Sequence, residues 1–373
     1  MKKILIELSS LKLALIGLLG LFIIVLWGTF VQIDLGIFYT QKKYFQSLVI
    51  FHTFSNGIKI PIFFGGVVWG ALLTIGLMTT LITRIKWKLK NAGLILIHLG
   101  LIALLLGSFL TGKLAQESQL ILREGETKNY SINRNQPELL IRLPQENNLA
   151  TEWVFPYHLL KPGAHLQIPG YLDIHIKSFY LNSAIKRSII PNSQLNGFGK
   201  HFNVIPIPLN NKTEGNNTIS MIISIYSTNN TLLGNWVVTQ GIDADQIVSV
   251  QEKSIYIKLR DQRIYTPYTI TLQDFSHDVY PGTTVPKNFS SLVTIDHPKT
   301  NENRDVLIYM NHPLRYAGNT YFQASFGEKN QLSVLQVVEN PVWLFPYFSS
   351  LIIALGLFLQ FLISFSRFKG KTS

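Results

Sequence analysis

Four long stretches of apolar side chains stand out from an otherwise mixed chain: Leu13–Val31, Pro61–Ile82, Ala92–Leu110 and Val342–Phe365. Each comes close to the ~20 residues with which a helix crosses a bilayer at 1.5 Å rise per residue. Residues 111–340 hold no such run, and there the pattern changes to a period of two. "QLILREGE", "ELLIRL", "YLDIHIKSFYL", "ISMIISIYS", "NWVVT", "SIYIKL", "YTITLQDF", "SLVTID", "DVLIYM", "TYFQASF" and "LSVLQVV" are short, rich in β-branched and aromatic residues, and separated by Gly, Pro or Asn clusters. Such runs predict antiparallel strands in a sandwich, or two small ones. The fold class is thus an integral membrane protein of four transmembrane helices with a large all-β, sandwich-like domain inserted between helices 3 and 4. The predicted organisation is a membrane region over 1–110 with spans near 13–31, 61–82 and 92–110, a β-rich domain over 111–340, and a closing region over 341–373 with its span near 342–365.

Finer patterns lie inside this frame. In Asp34–Lys59, apolar residues at Ile37, Phe38, Tyr44, Phe45, Leu48, Val49 and Phe51 suit a helix lying at the outer membrane interface, or an ordinary packed loop helix. Gly66 and Gly70 form a small-xxx-small pair that admits a close neighbouring helix. Gly93, Gly100 and Gly107 recur every seven residues, so they drift only about 20° per step and line one helix face. The Asn-rich "PLNNKTEGNN" and "STNNTLLGN" read as loop tips. No GxGxxG, P-loop or GxSxG is present.

Charge orients the chain. Its formal charge is +12 over 373 residues. Outside 111–341 there are 13 of the 33 Lys and Arg, opposed only by Glu7 and Asp34, so +11 of that charge flanks the membrane segments. This distribution removes the support for a nucleic-acid partner. Ten of the 13 lie in the N-terminus, the 83–90 turn "TRIKWKLK" and the tail "SRFKGKTS". The positive-inside rule puts all three in the cytoplasm and the β domain on the periplasmic or equivalent side of an inner membrane; Lys42, Lys43 and Lys59 run against this bias. The first run is longer than a signal-peptide core and no small-x-small site follows it. The absence of cysteine excludes disulfides, thiol exchange, Cys-ligated zinc and covalent haem attachment to this chain.

One polar ring sits inside the third run, "NAGLILIHLGLIALLLGSFLTG": His98. An unpartnered polar group in hydrocarbon costs several kcal/mol. His98 follows Gly93 by five residues, about 140° around the helix from the glycine face. It is either a packing histidine, bonded to a hydroxyl or carbonyl of a neighbouring helix, or a ligand to a metal or haem iron. A proton relay lacks partners, because no Asp, Glu, Lys or Arg lies inside the four runs. As no other run holds a histidine, a second ligand to such a metal has to come from outside them. His52 reads as a surface loop residue or one near the outer membrane face, and His312, in Asn-His-Pro, as a turn residue. His158, His165, His175, His201, His277 and His297 are scattered without metal-ligand spacing.

The segments "SSLKLALIGLLGLFIIVLWGTFV", "HLGLIALLLGSFLTG…ESQLILREGE", "VYPGTTVPKNFSSLVTI…VLIYMNHPLRYAGNTYFQASF" and "LQVVENPVWLFPYFSSLIIALGLF" together resemble the ResB/CcsB-type cytochrome c biogenesis proteins of system II; residues 145–265 carry no matching motif. The resemblance implies four spans, an exported β domain, and a CcsA-type membrane partner with a Trp-rich haem-handling segment. It implies a subunit of a cytochrome c haem lyase complex that brings haem across the membrane to exported apocytochrome c and is not catalytic alone. By motif position the family's third-span axial haem ligand, which pairs with one from the partner, corresponds to His98. Family members sometimes carry cysteine; its absence here removes a thiol role. The six tryptophans include no adjacent pair, so the partner's Trp-rich signature is missing and this chain is one half of the machine. The competing class is a membrane-anchored scaffold or binding protein without haem. The topology is testable: reporter fusions at residues 87 and 230 are expected on opposite sides of the membrane, and the same side for both would end this reading.

Overall fold

The computed structural model describes residues 2–54, 57–145, 150–210, 217–250, 252–282, 286–327 and 332–369. The Asn-rich segment at 211–216 and the last residues of the tail, 370–373, lie outside them. Contacts divide the chain into two compact units, Met1–Gln116 with Glu339–Ser373, and Glu117–Val338.

The first unit is helical: α1 (Lys2–Leu8), α2 (Leu11–Leu35), α3 (Ile37–Thr40), α4 (Gly66–Thr83), α5 (Ala92–Leu114) and α6 (Phe345–Lys369). Among the described residues, four helical segments are long and apolar enough to cross a membrane: α2, α4, Leu89–Leu114 and Phe345–Ser366. Ser10 caps α2, its Oγ accepting from the Leu13 N–H at 3.2 Å. The Arg84 guanidinium closes α4 by donating to Ser9 Oγ at 2.8 Å and to the Ile6 carbonyl at 3.2 Å.

Two expectations change here. The helix read across Asp34–Lys59 ends at Phe45, after one α turn and one wide π turn at Gln41–Phe45. Beyond it, β1 (Val49–Thr53) and β2 (Lys59–Phe64) pair antiparallel. The second span therefore starts at Gly66 rather than Pro61. The physical reason is that "KIPIFF" is as good a strand as a helix start: it is apolar, β-branched, and too short for periodicity to decide. Pro61 costs little in a two-stranded ribbon, where one edge needs no N–H.

Glycines set how closely these helices approach. A Cβ on Gly93 would lie 2.6 Å from the Gln360 backbone nitrogen, one on Gly100 2.6 Å from Ile353 Cγ1, and one on Gly107 2.8 Å from Phe345 Cβ. The three-glycine face of α5 is thus the surface on which α6 packs. The pair read at Gly66 and Gly70 does not work this way. Gly66 abuts the Phe45 backbone, and a Cβ on Gly70 would meet open space. Contact between α2 and α4 runs instead through Gly17 and Gly20, against Leu73 and the Trp69 ring.

The second unit is built of strands. They are β3 (Gln116–Arg123), β4 (Thr127–Pro144), β5 (Ala150–Phe155), β6 (His165–Ile168), β7 (Leu172–Tyr180), β8 (Ser183–Arg187), β9 (Phe202–Pro206) and β10 (Ser220–Ser227). The second half continues with β11 (Leu232–Thr239), β12 (Gln246–Val250), β13 (Lys253–Val279), β14 (Pro286–His297), β15 (Glu302–Tyr309), β16 (Leu314–Tyr316), β17 (Asn319–Gly327) and β18 (Leu332–Glu339). The large sheet runs β15-β14-β13-β4-β3-β18-β17-β16, with β12 on β13 and β5 on β4; a second sheet runs β11-β10-β7-β6, and β8 pairs β9.

Two cores result, each built from alternate apolar residues of its strands. One joins the sheets: Leu139, Ile141 and Leu143 of β4 and Ile255, Ile257 and Leu259 of β13 face Leu172, Ile174 and Ile176 of β7 and Met221, Ile223 and Ile225 of β10. The other lies inside the curl of the large sheet, where Leu122, Tyr268, Leu272, Ile295, Ile308, Tyr321 and Leu335 meet. Burial of each such Ile or Leu contributes about 1.5–3 kcal/mol.

Strand β13 contributes to both cores, and along its pairing with β4 the ladder breaks twice. Asp261 faces Pro137 but Gln262 faces Asn133; Tyr265 faces Tyr130 but Ile270 faces Lys128. Unpaired residues bend the strands and increase their twist. Charges hold this joint: Arg260 Nε donates to Glu138 Oε1 at 2.7 Å, with side chains only 12% and 7% exposed. Gln240 Nε2 donates to Asp261 Oδ1 at 2.6 Å, and the Arg263 guanidinium lies 4.4 Å from the Tyr130 ring centre.

Expected outcomes follow from these contacts. In detergent, Gly93→Ala lowers the unfolding temperature, because overpacking against α6 costs about 1–3 kcal/mol. Gly70→Ala is neutral or stabilising by up to about 1 kcal/mol, alanine being the better helix former. Glu138→Ala leaves Arg260 buried and uncompensated, a loss of about 3–5 kcal/mol to be read from the denaturant midpoint; replacing both members by Leu and Met restores most of it.

Candidate functional site

The helix that carries His98 begins after a tight turn at Leu89–Asn91, where Asn91 Nδ2 donates to the Lys86 carbonyl at 2.8 Å. His98 lies six residues into α5, about 9 Å along the axis from its first residue. Because Gly93, Gly100 and Gly107 are buried and lie against α6, the azimuth of α5 is set and the imidazole is turned away from that contact. The ring is half-buried. Leu94 on the preceding turn is more than a third exposed.

Its one hydrogen bond decides its chemistry. His98 Nδ1 lies 2.8 Å from the Leu94 carbonyl oxygen. A carbonyl only accepts, so Nδ1 carries the proton, and in the neutral ring Nε2 is left with a lone pair. Among the described residues none is bonded to Nε2. The carbonyl belongs to the same helix, one turn back, so this bond ties the ring to its own backbone and does not join two helices. Metal-binding histidines have this outer arrangement: the far N–H donates to a carbonyl, which fixes the tautomer and raises the basicity of the ligand nitrogen. No group of three or more His, Asp or Glu among the described residues could enclose a metal by itself.

The remaining histidines divide by setting. His52 stands exposed on β1, edge-on to Phe54 at 4.7 Å between ring centres. His312 closes the turn between β15 and β16: its N–H donates to the Tyr309 carbonyl at 3.0 Å and its ring stacks on Tyr309 at 4.6 Å. Both His277, against Phe326, and His297, against Tyr268, serve as packing rings. No Ser, His and Asp are brought together as a catalytic triad among the described residues.

One juxtaposition escapes any reading of spacing. His165 and His175 are direct cross-strand partners on β6 and β7, with ring centres 3.8 Å apart. Partial burial, and then the charge of His165, hold the His175 imidazole below the ordinary histidine value, and Asp173 acts in the opposite sense. The signal was the run "HLQIPGYLDIH", two stretches of matching polar–apolar alternation around Pro-Gly, a hairpin pattern that opposes its two end residues.

Comparison with known proteins fits part of this architecture. The model of the ResB-like family matches residues 219–334, which covers β10 to the start of β18 and does not include His98. Protein NrfI of Wolinella succinogenes is 24% identical over 274 residues, 74% of this chain and 28% of that protein. The chain thus spans little more than a quarter of the length of that relative.

Proposed function

We propose that this ResB-like chain is one subunit of a system II cytochrome c synthetase, with His98 as an axial ligand to haem iron. The observation that carries the reading is the Nδ1 bond to Leu94 at 2.8 Å, which leaves Nε2 as a lone-pair donor within an apolar helix. An imidazole whose outer nitrogen is already satisfied by its own helix does not need a packing partner, and its free nitrogen fits the neutral ligand form that haem iron takes. Haem, when bound, supplies the vinyl groups to which the thiols of an exported apocytochrome c add. The residues of this chain contribute positioning: the Leu94 carbonyl holds the ring plane and tautomer, and the glycine face fixes the helix that carries it.

A CcsA-type membrane partner supplies the second imidazole in this reading, since no second ligand stands beside His98 among the described residues. With the N-terminus, the Arg84–Lys90 turn and the tail in the cytoplasm of an inner-membrane protein, His98 lies in the cytoplasmic half of its span. The β unit then faces the periplasm, where it holds apocytochrome c or the partner's outer loops, and membrane lipid surrounds the remaining helix faces.

The test is co-expression with the partner. The wild-type complex is expected to purify with haem showing a bis-imidazole spectrum. His98→Ala is expected to lower haem affinity by more than the ~10–100-fold that loss of an outer-shell partner alone costs, and cytochrome c maturation falls with it. Added imidazole restores part of both by entering the vacated volume. Normal haem content and maturation in His98→Ala, with no response to imidazole, would overturn the ligand assignment and leave the family reading to rest on the β unit alone; a wild-type complex without haem would favour the haem-free scaffold.

A further inference from the structure

We propose that His165 and His175 form a two-histidine clamp for a divalent transition metal on the outward face of the β6–β7 hairpin. Copper(II) is the strongest candidate ion, with nickel(II) and zinc(II) behind it.

The argument starts from register. Leu166, Ile168, Leu172, Ile174 and Ile176 point into the core, at 5% exposure or less, and the pairs are His165 with His175, Leu166 with Ile174, Gln167 with Asp173 and Ile168 with Leu172. A slip of one residue would bury both histidines and expose the core face, so packing locks the pair on the solvent side. The three-residue loop between the strands contains Gly170 at φ +81°, a backbone conformation that favours glycine and fixes the turn. The two imidazoles are therefore preorganised by the core beneath them.

Their chemistry suits a cation. Directly opposed residues have Cβ atoms about 4.5–5.5 Å apart. Two rings whose centres lie 3.8 Å apart at 54° need only rotate slightly apart to converge on one ion at the ~2.0–2.1 Å of a metal–imidazole bond. None of the ring nitrogens of the pair is hydrogen-bonded among the described residues, so no bond has to be broken for ligation. The Tyr226 ring walls the site on the β10 side, 4.5 Å from His175. On the other side β6 is the edge strand of its sheet and His165 is exposed, which leaves an open approach. One rung along, Asp173 adds a negative charge that acts on His175. Two imidazole nitrogens with open positions for water are a borderline-soft set for which affinity rises from nickel to copper(II) and falls again at zinc.

This site is independent of His98 and of haem. The test uses the full chain in detergent, its purification tag removed, titrated with copper(II) and read by calorimetry and electron paramagnetic resonance. The wild type is expected to take up one equivalent with nitrogen superhyperfine structure from two imidazoles. His165→Asn, on the exposed edge strand, is expected to keep the wild-type circular dichroism and melting curve while weakening copper(II) binding by about 100-fold or more, the lower end of the gain from tethering a second ligand. His175→Asn is expected to match it, and His98→Ala to leave binding unchanged. Copper(II) binding of wild-type strength in His165→Asn, or uptake abolished by His98→Ala, would overturn the proposal.

Discussion

Where α5 meets α6, a methyl group on Gly93 would run into the backbone of Gln360. Gly356 on α6 is equally confined, a Cβ there falling 2.8 Å from the Ile97 nitrogen. In lipid, where apolar surface gains little by leaving its solvent, such close approach gives helices the dispersion contacts that hold them together. It also fixes rotation about the helix axis. With one face of α5 committed along three glycines, His98 has a single direction in which to point. The carbonyl of Leu94 then fixes which nitrogen it presents, so steric fit on one side of the helix sets the orientation of a polar ring on the other.

Much of this was legible in the sequence, for identifiable reasons. Apolar runs of spanning length announce themselves, and a seven-residue glycine period defines a face whatever packs on it. The rotation of His98 relative to that face is arithmetic. Its hydrogen bond was not legible, because periodicity cannot say which carbonyl an imidazole reaches. Gly66 and Gly70 misled for the same reason: spacing shows that a helix could be approached there, and only the fold shows that Gly17 and Gly20 take that role. The hairpin at Val49–Phe64 was hidden because a short apolar run beside a longer one reads as its extension.

In the β unit, alternation marked the runs that bury one face, but it failed where strands carry charge. β13 continues through "RDQRIYTP", the charged stretch between two of the predicted runs. It persists as strand because β4 supplies what each side chain needs: Glu138 for Arg260, Arg134 for Asp261 at 3.5 Å, and the Tyr130 ring for Arg263. The pairing of His165 with His175 was out of reach of spacing for a related reason. Metal-ligand spacings are rules for helices and short loops, whereas across a hairpin the separation that matters is set by register.

The order of strands in the large sheet bears on how the chain comes to be folded at all. The first strand of the unit, β3, lies beside the last, β18, and Gln336 Nε2 donates to Glu117 Oε2 at 2.8 Å across 219 residues. No ribosome can deliver that neighbour early. The edge of β3 waits, with its backbone groups unpaired, until almost the whole unit has been synthesised, and closure of so distant a contact is slow. Throughout that interval β3 offers a template for the wrong strand. A chain so arranged has reason to depend on a chaperone, or on an early-arriving neighbour, during its own assembly.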